Sequence, residues 1–380
     1  MRPAKSRPLI VATPRNDSYS APSGGAIYGG MAAPDVLPAW LAAMTVGQWG
    51  AIANTGGAGG AHLVDAGGLA RSGNRWIAAA SGGQGGSPDN RVTAIDLSAD
   101  VPAWSVLKPT SVVGAANIAY YSDGKPAARH TFHSIFSVAG NRVMLPGLRY
   151  AFGDGNTYDF VDAFDLATNQ WVGVVADSPG TSGSGLANVT PSGFYPVAQD
   201  AGGDLWCVLH TTGDVAKYTV ATNSWSQPAM AKVSPNVRYP WALDSTRNQL
   251  FGLAWGDGEE GGTGLRAVVL AGAAQTAISF SPGAALTQWL AEQPAYAAMD
   301  YDPLNDRFLF YSGRGAGAGR VYVITPNAGT TWSIAIQSGA GTLAGTNGTR
   351  LVRRLAYFPA LKGFACMPDP NGNVYFLRLA

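Results

Sequence analysis

The sequence predicts an all-β fold built from repeated four-stranded sheets, and three observations support it. One pattern recurs along the chain: alternating apolar residues, a polar turn, then a Trp that opens a second apolar run, as in residues 159–174. The Trp residues of this pattern return at a regular spacing. Gly (50 residues) and Pro (24 residues) are abundant in the 380-residue chain, as in turn-rich β proteins. Such repeats cannot bury their own apolar faces, so they must stack on one another.

The spacing of the Trp residues gives the size of one repeat. The pattern occurs in residues 91–107, 159–174, 213–228 and 319–334. Its Trp residues, at 104, 171, 225 and 332, are 67, 54 and 107 residues apart. The last distance is two steps of about 54, with the intervening Trp replaced near residues 278–280. A period near 50 is typical of propeller blades with four strands each.

Each repeat also has a preceding half that reads as a hairpin. These segments combine an alternating run, a turn rich in Asp, Asn, Gly or Pro, and a second apolar run. They are residues 132–145, 195–209, 239–254, 297–313 and 355–367, with a more degenerate version at residues 64–80. We interpret them as the inner hairpins of six blades.

The two ends of the array complete each other. The last blade ends after its third strand, within residues 373–379, and lacks an outer strand. Residues 45–54 read as an outer strand around Trp49, with no blade before them. Pairing these fragments closes the ring and removes the open edges. The sequence therefore predicts a six-bladed β-propeller over residues 45–380, closed by an N-terminal strand.

From residue 45 onward, this pattern of repeated strands and turns resembles that of the kelch-repeat propellers, which include the central domain of the galactose oxidase family. The resemblance implies that Gly-rich loops between strands and blades emerge on one face, where recognition usually resides. Galactose oxidase relatives hold copper with Tyr and His ligands and a Cys cross-linked to Tyr, and no such pattern is found here. His130 and His133 are three apart, which puts them on opposite faces of a strand. We expect no metal and no cofactor.

Residues 1–44 are predicted to lie outside the propeller. Residues 1–34 combine Arg2, Lys5, Arg7 and Arg15 with Pro, Ser, Gly and Ala, a composition that cannot fold alone. We interpret them as an extended arm, held by the propeller's flank or by other virion or assembly proteins. Residues 33–44 carry an apolar stripe that includes Trp40 and fits a short amphipathic helix. This helix either docks under the propeller or binds a partner.

Composition excludes several classes of function. Charged residues make up 13% of the chain, about half the usual share, and the net charge is +1. This net charge does not indicate binding to nucleic acid. A membrane span is not indicated either, because no segment reaches the roughly 18 apolar residues that span a bilayer. We find no secretory signal, and expect a virion or extracellular location after release by another route. Cys207 and Cys366 lie in apolar runs and are expected to be buried free thiols.

Arginine recurs where the inner strands begin, which suggests a ligand site. If those strands line the channel, their guanidinium groups converge at one mouth and favour carboxylate or phosphate. The candidates are Arg129, Arg238, Arg353 and Arg354, with Arg149 and Arg314 in the Gly-rich loops. The alternative is that each arginine pairs with an acid of a neighbouring loop, such as Asp123, Asp257, Glu259 or Glu260.

Two functions remain open on the sequence alone. The first is a non-enzymatic structural or binding propeller of a bacteriophage-like particle (tail, fibre or decoration), anchored by its arm and displaying loops for host or glycan attachment. The second is a carbohydrate-active enzyme of the kelch class, such as a sugar-acid isomerase or an oxidase-like enzyme, acting on an anionic sugar. No nucleophile-elbow serine and no phosphate-cradling loop supports catalysis.

Overall fold

The computed structural model describes residues 36–57, 63, 67–82, 87–112, 119–129, 131–139, 141–146, 160–177, 197–208, 215–230, 240–255, 265–272, 274–294, 297–312, 319–341, 343 and 353–380. The predicted arm, residues 1–34, lies outside this part of the chain. No helix within the described residues is long and apolar enough to cross a bilayer.

The chain begins with a short helix and a strand that belong to the end of the ring. They are α1 (Ala39–Ala42) and β1 (Trp49–Ala51). Three complete four-stranded blades follow. Blade 1 contains β2 (Ala70–Ser72), β3 (Arg75–Ala79), β4 (Val92–Asp96) and β5 (Trp104–Lys108); blade 2 contains β6 (Phe136–Val138), β7 (Arg142–Leu145), β8 (Phe160–Asp165) and β9 (Gln170–Asp177); blade 3 contains β10 (Val197–Gln199), β11 (Leu205–Val208), β12 (Val215–Thr219) and β13 (Ser224–Ser226).

The second half of the ring is less regular. Blade 4 contains β14 (Trp241–Asp244), β15 (Gln249–Trp255), β16 (Leu265–Ala271) and β17 (Ala274–Ala277). The linker to the next blade carries β18 (Ser279–Phe280) and helix α2 (Ala284–Glu292). Blade 5 contains β19 (Ala298–Asp302), β20 (Arg307–Tyr311), β21 (Val321–Thr325) and β22 (Thr331–Ile336); blade 6 contains β23 (Leu355–Phe358), a 3₁₀ turn (Pro359–Leu361), β24 (Gly363–Cys366) and β25 (Tyr375–Arg378).

The hairpin turns show why these strands form where they do. Asp165, Asp244 and Asp302 each end a strand, and one carboxylate oxygen accepts two backbone N–H groups two and three residues later. This bond pattern mimics a backbone turn. Four residues after each Asp, an Asn or Asp adopts a positive φ, which these residue types tolerate. The same local chemistry therefore sets the register of hairpins in three blades.

The N-terminal strand closes the ring, as predicted. β1 pairs antiparallel with β25, with Trp49 opposite Leu377 and Gly50 opposite Phe376, and so becomes the outer strand of blade 6. A cluster of buried apolar residues spans each of the six interfaces between neighbouring blades, including the seam between blade 6 and blade 1. The chain is a six-bladed β-propeller.

Helix α1 lies across that seam and is held at both ends. The carboxylate of Asp100 in blade 1 accepts the N–H of Ala39 at 3.0 Å. At the other end, one guanidinium nitrogen of Arg378 in blade 6 donates to the carbonyls of Leu41, Ala42 and Met44 at 3.1–3.3 Å. An acid at the N-terminus and a base at the C-terminus also complement the helix dipole. The helix thus fastens the last blade to the first.

The fourth repeat differs from the expectation. The Trp of blade 4 was expected to be replaced near residues 278–280. β17 ends at Ala277, and of this range Ile278 still donates its N–H to the carbonyl of Ala267 in β16, at 2.9 Å. Phe280 instead lies in β18, which adds to blade 5 as a fifth, parallel strand opposite Trp332. The physical cause is the short turn after β16, at Gly272 (φ +60°), which brings the outer strand forward along the chain.

Helix α2 completes the interface between blades 4 and 5. Its Trp289 is fully buried and packs against Phe310, with ring centroids 6.0 Å apart. Glu292 at its end is buried and accepts hydrogen bonds from Tyr322 Oη and from Arg320 Nε, the latter at 2.7 Å. The carboxylate is therefore compensated inside the fold.

Candidate functional site

A cavity lies on the axis of the ring, because residues of all six inner strands line it. It encloses about 760 Å³ of empty space, including solvent at its opening. Both polar and apolar residues line it. The lining residues within the inner strands are Arg71 (β2), Ser137 (β6), Ala198 and Gln199 (β10), Trp241 and Leu243 (β14), Met299 and Asp300 (β19), and Leu355 and Ala356 (β23).

Asp300 is the carboxylate among the described lining residues, and the backbone fixes its position. One oxygen accepts the N–H of Tyr301 at 2.9 Å, and the other accepts the N–H of Tyr357 in blade 6 at 2.8 Å. Burial raises the pKa of Asp300, although Arg71 and Arg353 nearby and the two N–H groups oppose this shift. Asp300 therefore joins blade 5 to blade 6 at the wall of the cavity.

Arg71 brings a guanidinium group to the same wall from blade 1. Its Nη1 donates to the carbonyl oxygen of Tyr357, the residue whose N–H is donated to Asp300. A single residue of blade 6 thus connects the cation of blade 1 with the carboxylate of blade 5. The hydrogen bonds place both charges with little freedom to move.

Arg353 enters the cavity from the segment just before β23. Its guanidinium carbon lies 3.9 Å from the centre of the Phe136 ring in blade 2, a cation–π distance. Burial lowers the pKa of Arg353 to about 10; Asp300 opposes this shift and Arg71 adds to it. Arg353 remains charged at neutral pH. Its φ of 55° is unusual for a non-Gly residue.

His133 completes the titratable groups among the described lining residues. It is 8% exposed. Burial, with a smaller effect from the nearby Arg353 charge, lowers the pKa of His133 to about 3. The imidazole is therefore neutral under physiological conditions and supplies dipolar, uncharged contacts.

The structure separates the arginines that the sequence grouped together. Arg353 lines the cavity. Arg129 is fully buried in an ion pair with Asp162 of blade 2, with 2.6 Å between Nη2 and Oδ2. For Arg129, the structure therefore shows the alternative expectation, pairing with an acidic residue. Arg354 is also fully buried, and its Nε donates to the carbonyl of Gly67 across the seam at 2.9 Å. Neither is among the cavity-lining residues. Arg149, Arg238 and Arg314 lie outside the described residues.

Of the proposed acid partners, Asp123 is described, and it pairs with Lys125 at 2.6 Å, not with a candidate arginine. Asp162, the partner that Arg129 has, also accepts a hydrogen bond from the hydroxyl of Tyr120 at 2.9 Å. Asp257, Glu259 and Glu260 lie outside the described residues.

Trp40 of the predicted partner-binding segment packs on the propeller. Its indole Nε1 donates to the carbonyl of Ala99 at 3.0 Å, and its ring meets that of Phe376 edge-on at 5.2 Å. Of the two roles predicted for this helix, these contacts correspond to docking on the propeller. The basic residues of the arm, Arg2, Lys5, Arg7 and Arg15, lie outside the described residues.

Arg71 and Asp300 were not predicted as site residues. The predicted arginines lie at strand entrances, whereas Arg71 lies inside β2 of the most degenerate repeat. The available signal was Asp300, a charged residue within the otherwise apolar start of an inner strand. A charge at such a position is costly unless it faces a polar cavity or a partner.

The remaining candidates for reactive or metal-binding residues are the cysteines and histidines. Cys207 and Cys366 are both buried free thiols, as expected, and burial raises the pKa of each. Within the described residues, no group of three or more His, Cys, Asp or Glu side chains could hold a metal ion. His62, His130 and His210 lie outside that part of the chain.

Comparison with known proteins gives distant structural neighbours. No protein-family model matches the chain. No curated protein matches it either. Among solved structures, one described as the structure of YjhT is 9% identical and has a TM-score of 0.48, over 82% of this chain and 93% of that chain. YCF48 from Cyanidioschyzon merolae is 10% identical with a TM-score of 0.44, over 82% of this chain and 81% of that one. The fold assignment rests on the strand pairing itself.

Proposed function

We propose that this chain is a non-enzymatic binding propeller. The observation that carries the proposal is the axial cavity, where polar groups from separate blades converge and are held by backbone hydrogen bonds. Rigid, pre-placed polar groups lower the ordering cost of binding. The described histidine there has a pKa near 3, so it is poorly matched to proton transfer near neutral pH.

In finer terms, we propose a kelch-type bacteriophage virion protein of a tail, fibre or decoration complex, displaying its loops for host or glycan attachment. The low share of charged residues, 13%, supports this proposal. So does the seam: α1 follows residues 1–34 in the sequence, and Asp100 and Arg378 fasten this helix to two blades. A partner that held the arm would therefore be coupled to the rigid ring.

The test is removal of the arm alone. A variant that begins at Val36 keeps α1 and β1, so its melting temperature should equal that of the full chain. It should fail to enter particles when it replaces the full chain during assembly, as measured by co-sedimentation. The matched control replaces Arg2, Lys5, Arg7 and Arg15 by Gln, which keeps arm length and removes its charge. Normal incorporation of the shortened chain would refute anchoring by the arm.

A second candidate is an enzyme that acts on an anionic sugar, and Asp300 is the observation that favours it. A carboxylate with a raised pKa beside two arginines, inside a cavity, is a typical acid–base candidate. Incubation of the full chain with sugar acids, followed by NMR, would show conversion that Asp300→Asn abolishes. Unchanged spectra after prolonged incubation would favour the binding function.

A further inference from the structure

We propose that the axial cavity binds a small monocarboxylate, with its carboxylate held between Arg71 and Arg353. This inference deepens the proposed binding function and rests on it. Arg71, Asp300 and His133 were not expected at a ligand site from the sequence.

The charge balance of the described lining residues favours a single negative charge. Two guanidinium groups face one carboxylate, and His133 is neutral. Arg71 and Arg353 are close enough for the charge of each to affect Asp300, and Arg71 disfavours the charged form of Arg353. A bound monoanion would offset that repulsion inside a desolvated cavity. A dianionic phosphate would instead place excess negative charge beside Asp300.

The geometry of the arginines suits a planar anion. The guanidinium carbon of Arg353 lies over the Phe136 ring, and guanidinium carries its five N–H donors in one plane. Arg71 is oriented by the Tyr357 carbonyl through one of its nitrogens. Carboxylates match such planar forks of donors better than a point charge such as Lys does.

The backbone around Arg353 supports a role beyond packing. Arg353 and Arg354 are adjacent, yet the first lines the cavity and the second is buried at the seam, with the left-handed φ of 55° at Arg353. Unusual backbone conformations at non-Gly residues cost free energy and cluster at ligand sites. Here the unusual conformation lies between the cavity and the seam, where the two neighbouring cations are found.

The apolar part of the lining limits the rest of the ligand. Trp241, Leu243, Met299 and Leu355 line the cavity next to the charged groups. Trp241 lies over Gly252, where an added Cβ would be 2.6 Å from the indole, so the ring is held in place. A compact body with one apolar face fits beside this wall, since aromatic and aliphatic walls with few polar groups are typical of small-ligand sites.

Isothermal titration calorimetry with the full chain tests the inference, using three probes of similar size at low ionic strength and pH 7.5. Glucuronate carries one negative charge, glucose none, and glucose 6-phosphate close to two. Glucuronate should bind saturably, glucose should give no saturable heat, and glucose 6-phosphate should bind more weakly than glucuronate. Equal binding of glucose and glucuronate, or no binding of either glucuronate or acetate, would overturn the proposal.

Variants locate the site. Arg353→Gln should weaken glucuronate binding at least tenfold, since charge-assisted hydrogen bonds are lost. Lys362→Gln is the matched control: it removes the same charge from an exposed residue in the turn between β23 and β24 and should bind normally. Unchanged affinity of Arg353→Gln would refute the assignment.

A second readout needs no variant, in case Arg353→Gln does not fold. Modification of Arg353 by phenylglyoxal, mapped by mass spectrometry, should be slowed by glucuronate and not by glucose. Equal rates with both sugars would count against the site. A chain that enters particles through its arm but binds no carboxylate would overturn this inference and leave the proposed function standing.

Discussion

Deleting residues 1–54 should abolish cooperative folding, because this segment supplies both β1 and α1 at the seam of the ring. Leu41 and Ile52 are 0% and 1% exposed, and Trp49 is 8% exposed. Fully burying a large apolar side chain stabilises a protein by about 1.5–3 kcal/mol, so these three together contribute about 5–9 kcal/mol. Folded domains are stable by about 5–15 kcal/mol in total. The loss is therefore comparable with the whole stability.

Urea unfolding followed by far-UV circular dichroism measures the effect. The shortened chain, beginning at Thr55, should unfold at much lower urea, with a broad transition. It should also self-associate, because β25 would become an open edge. The control begins at Val36 and should unfold at the same urea concentration as the full chain. Equal midpoints for the variant beginning at Thr55 and for the full chain would refute closure by β1.

Three further predictions concern other parts of the ring. Asp162→Asn should cost about 3–5 kcal/mol in urea unfolding, because it leaves the Arg129 charge buried, and replacing both residues by Leu and Met should recover most of this loss. His133 has a folded pKa of about 3, below the unfolded value of about 6.5, so stability should be complete above about pH 6.5 and fall as pH drops towards 3. His133→Asn should flatten that pH dependence of the urea midpoint, and an unchanged slope would contradict a neutral buried imidazole. Gly363→Ala puts a Cβ 2.3 Å from an aromatic ring and should cost about 1–3 kcal/mol, whereas Gly283→Ala, with nothing within 4 Å, should change the unfolding free energy by less than about 0.5 kcal/mol.

The fold was predictable because its determinants are local and repeated. An Asp that ends a strand, followed four residues later by Asn or Asp, forms the same turn in different blades. The missing outer strand at one end and the surplus strand with Trp49 at the other then required closure. The error near residues 278–280 arose where this repetition fails: the linker holds a parallel strand and a helix that no other blade has.

The site was less predictable because it depends on the direction of side chains. Arg129, Arg353 and Arg354 all precede inner strands, but one pairs with Asp162, one lines the cavity and one crosses the seam. Sequence spacing cannot distinguish them, since the direction of each side chain depends on the local backbone conformation. Asp300 carried the better signal, because charge within an apolar strand requires compensation.

The cavity and the seam are connected through Tyr357, which accepts a hydrogen bond from Arg71 of blade 1 and donates one to Asp300 of blade 5. Loosening the seam from the outside should therefore disturb the ligand site. Arg378→Ala removes the contacts to the end of α1 without touching a cavity-lining residue. We expect it to weaken glucuronate binding several-fold in calorimetry at a temperature where the variant is folded. Asp162→Asn, which destabilises blade 2 away from the seam, should leave affinity unchanged under the same conditions. Normal affinity in Arg378→Ala would show that blades 1, 5 and 6 hold the charged groups in place without help from the helix.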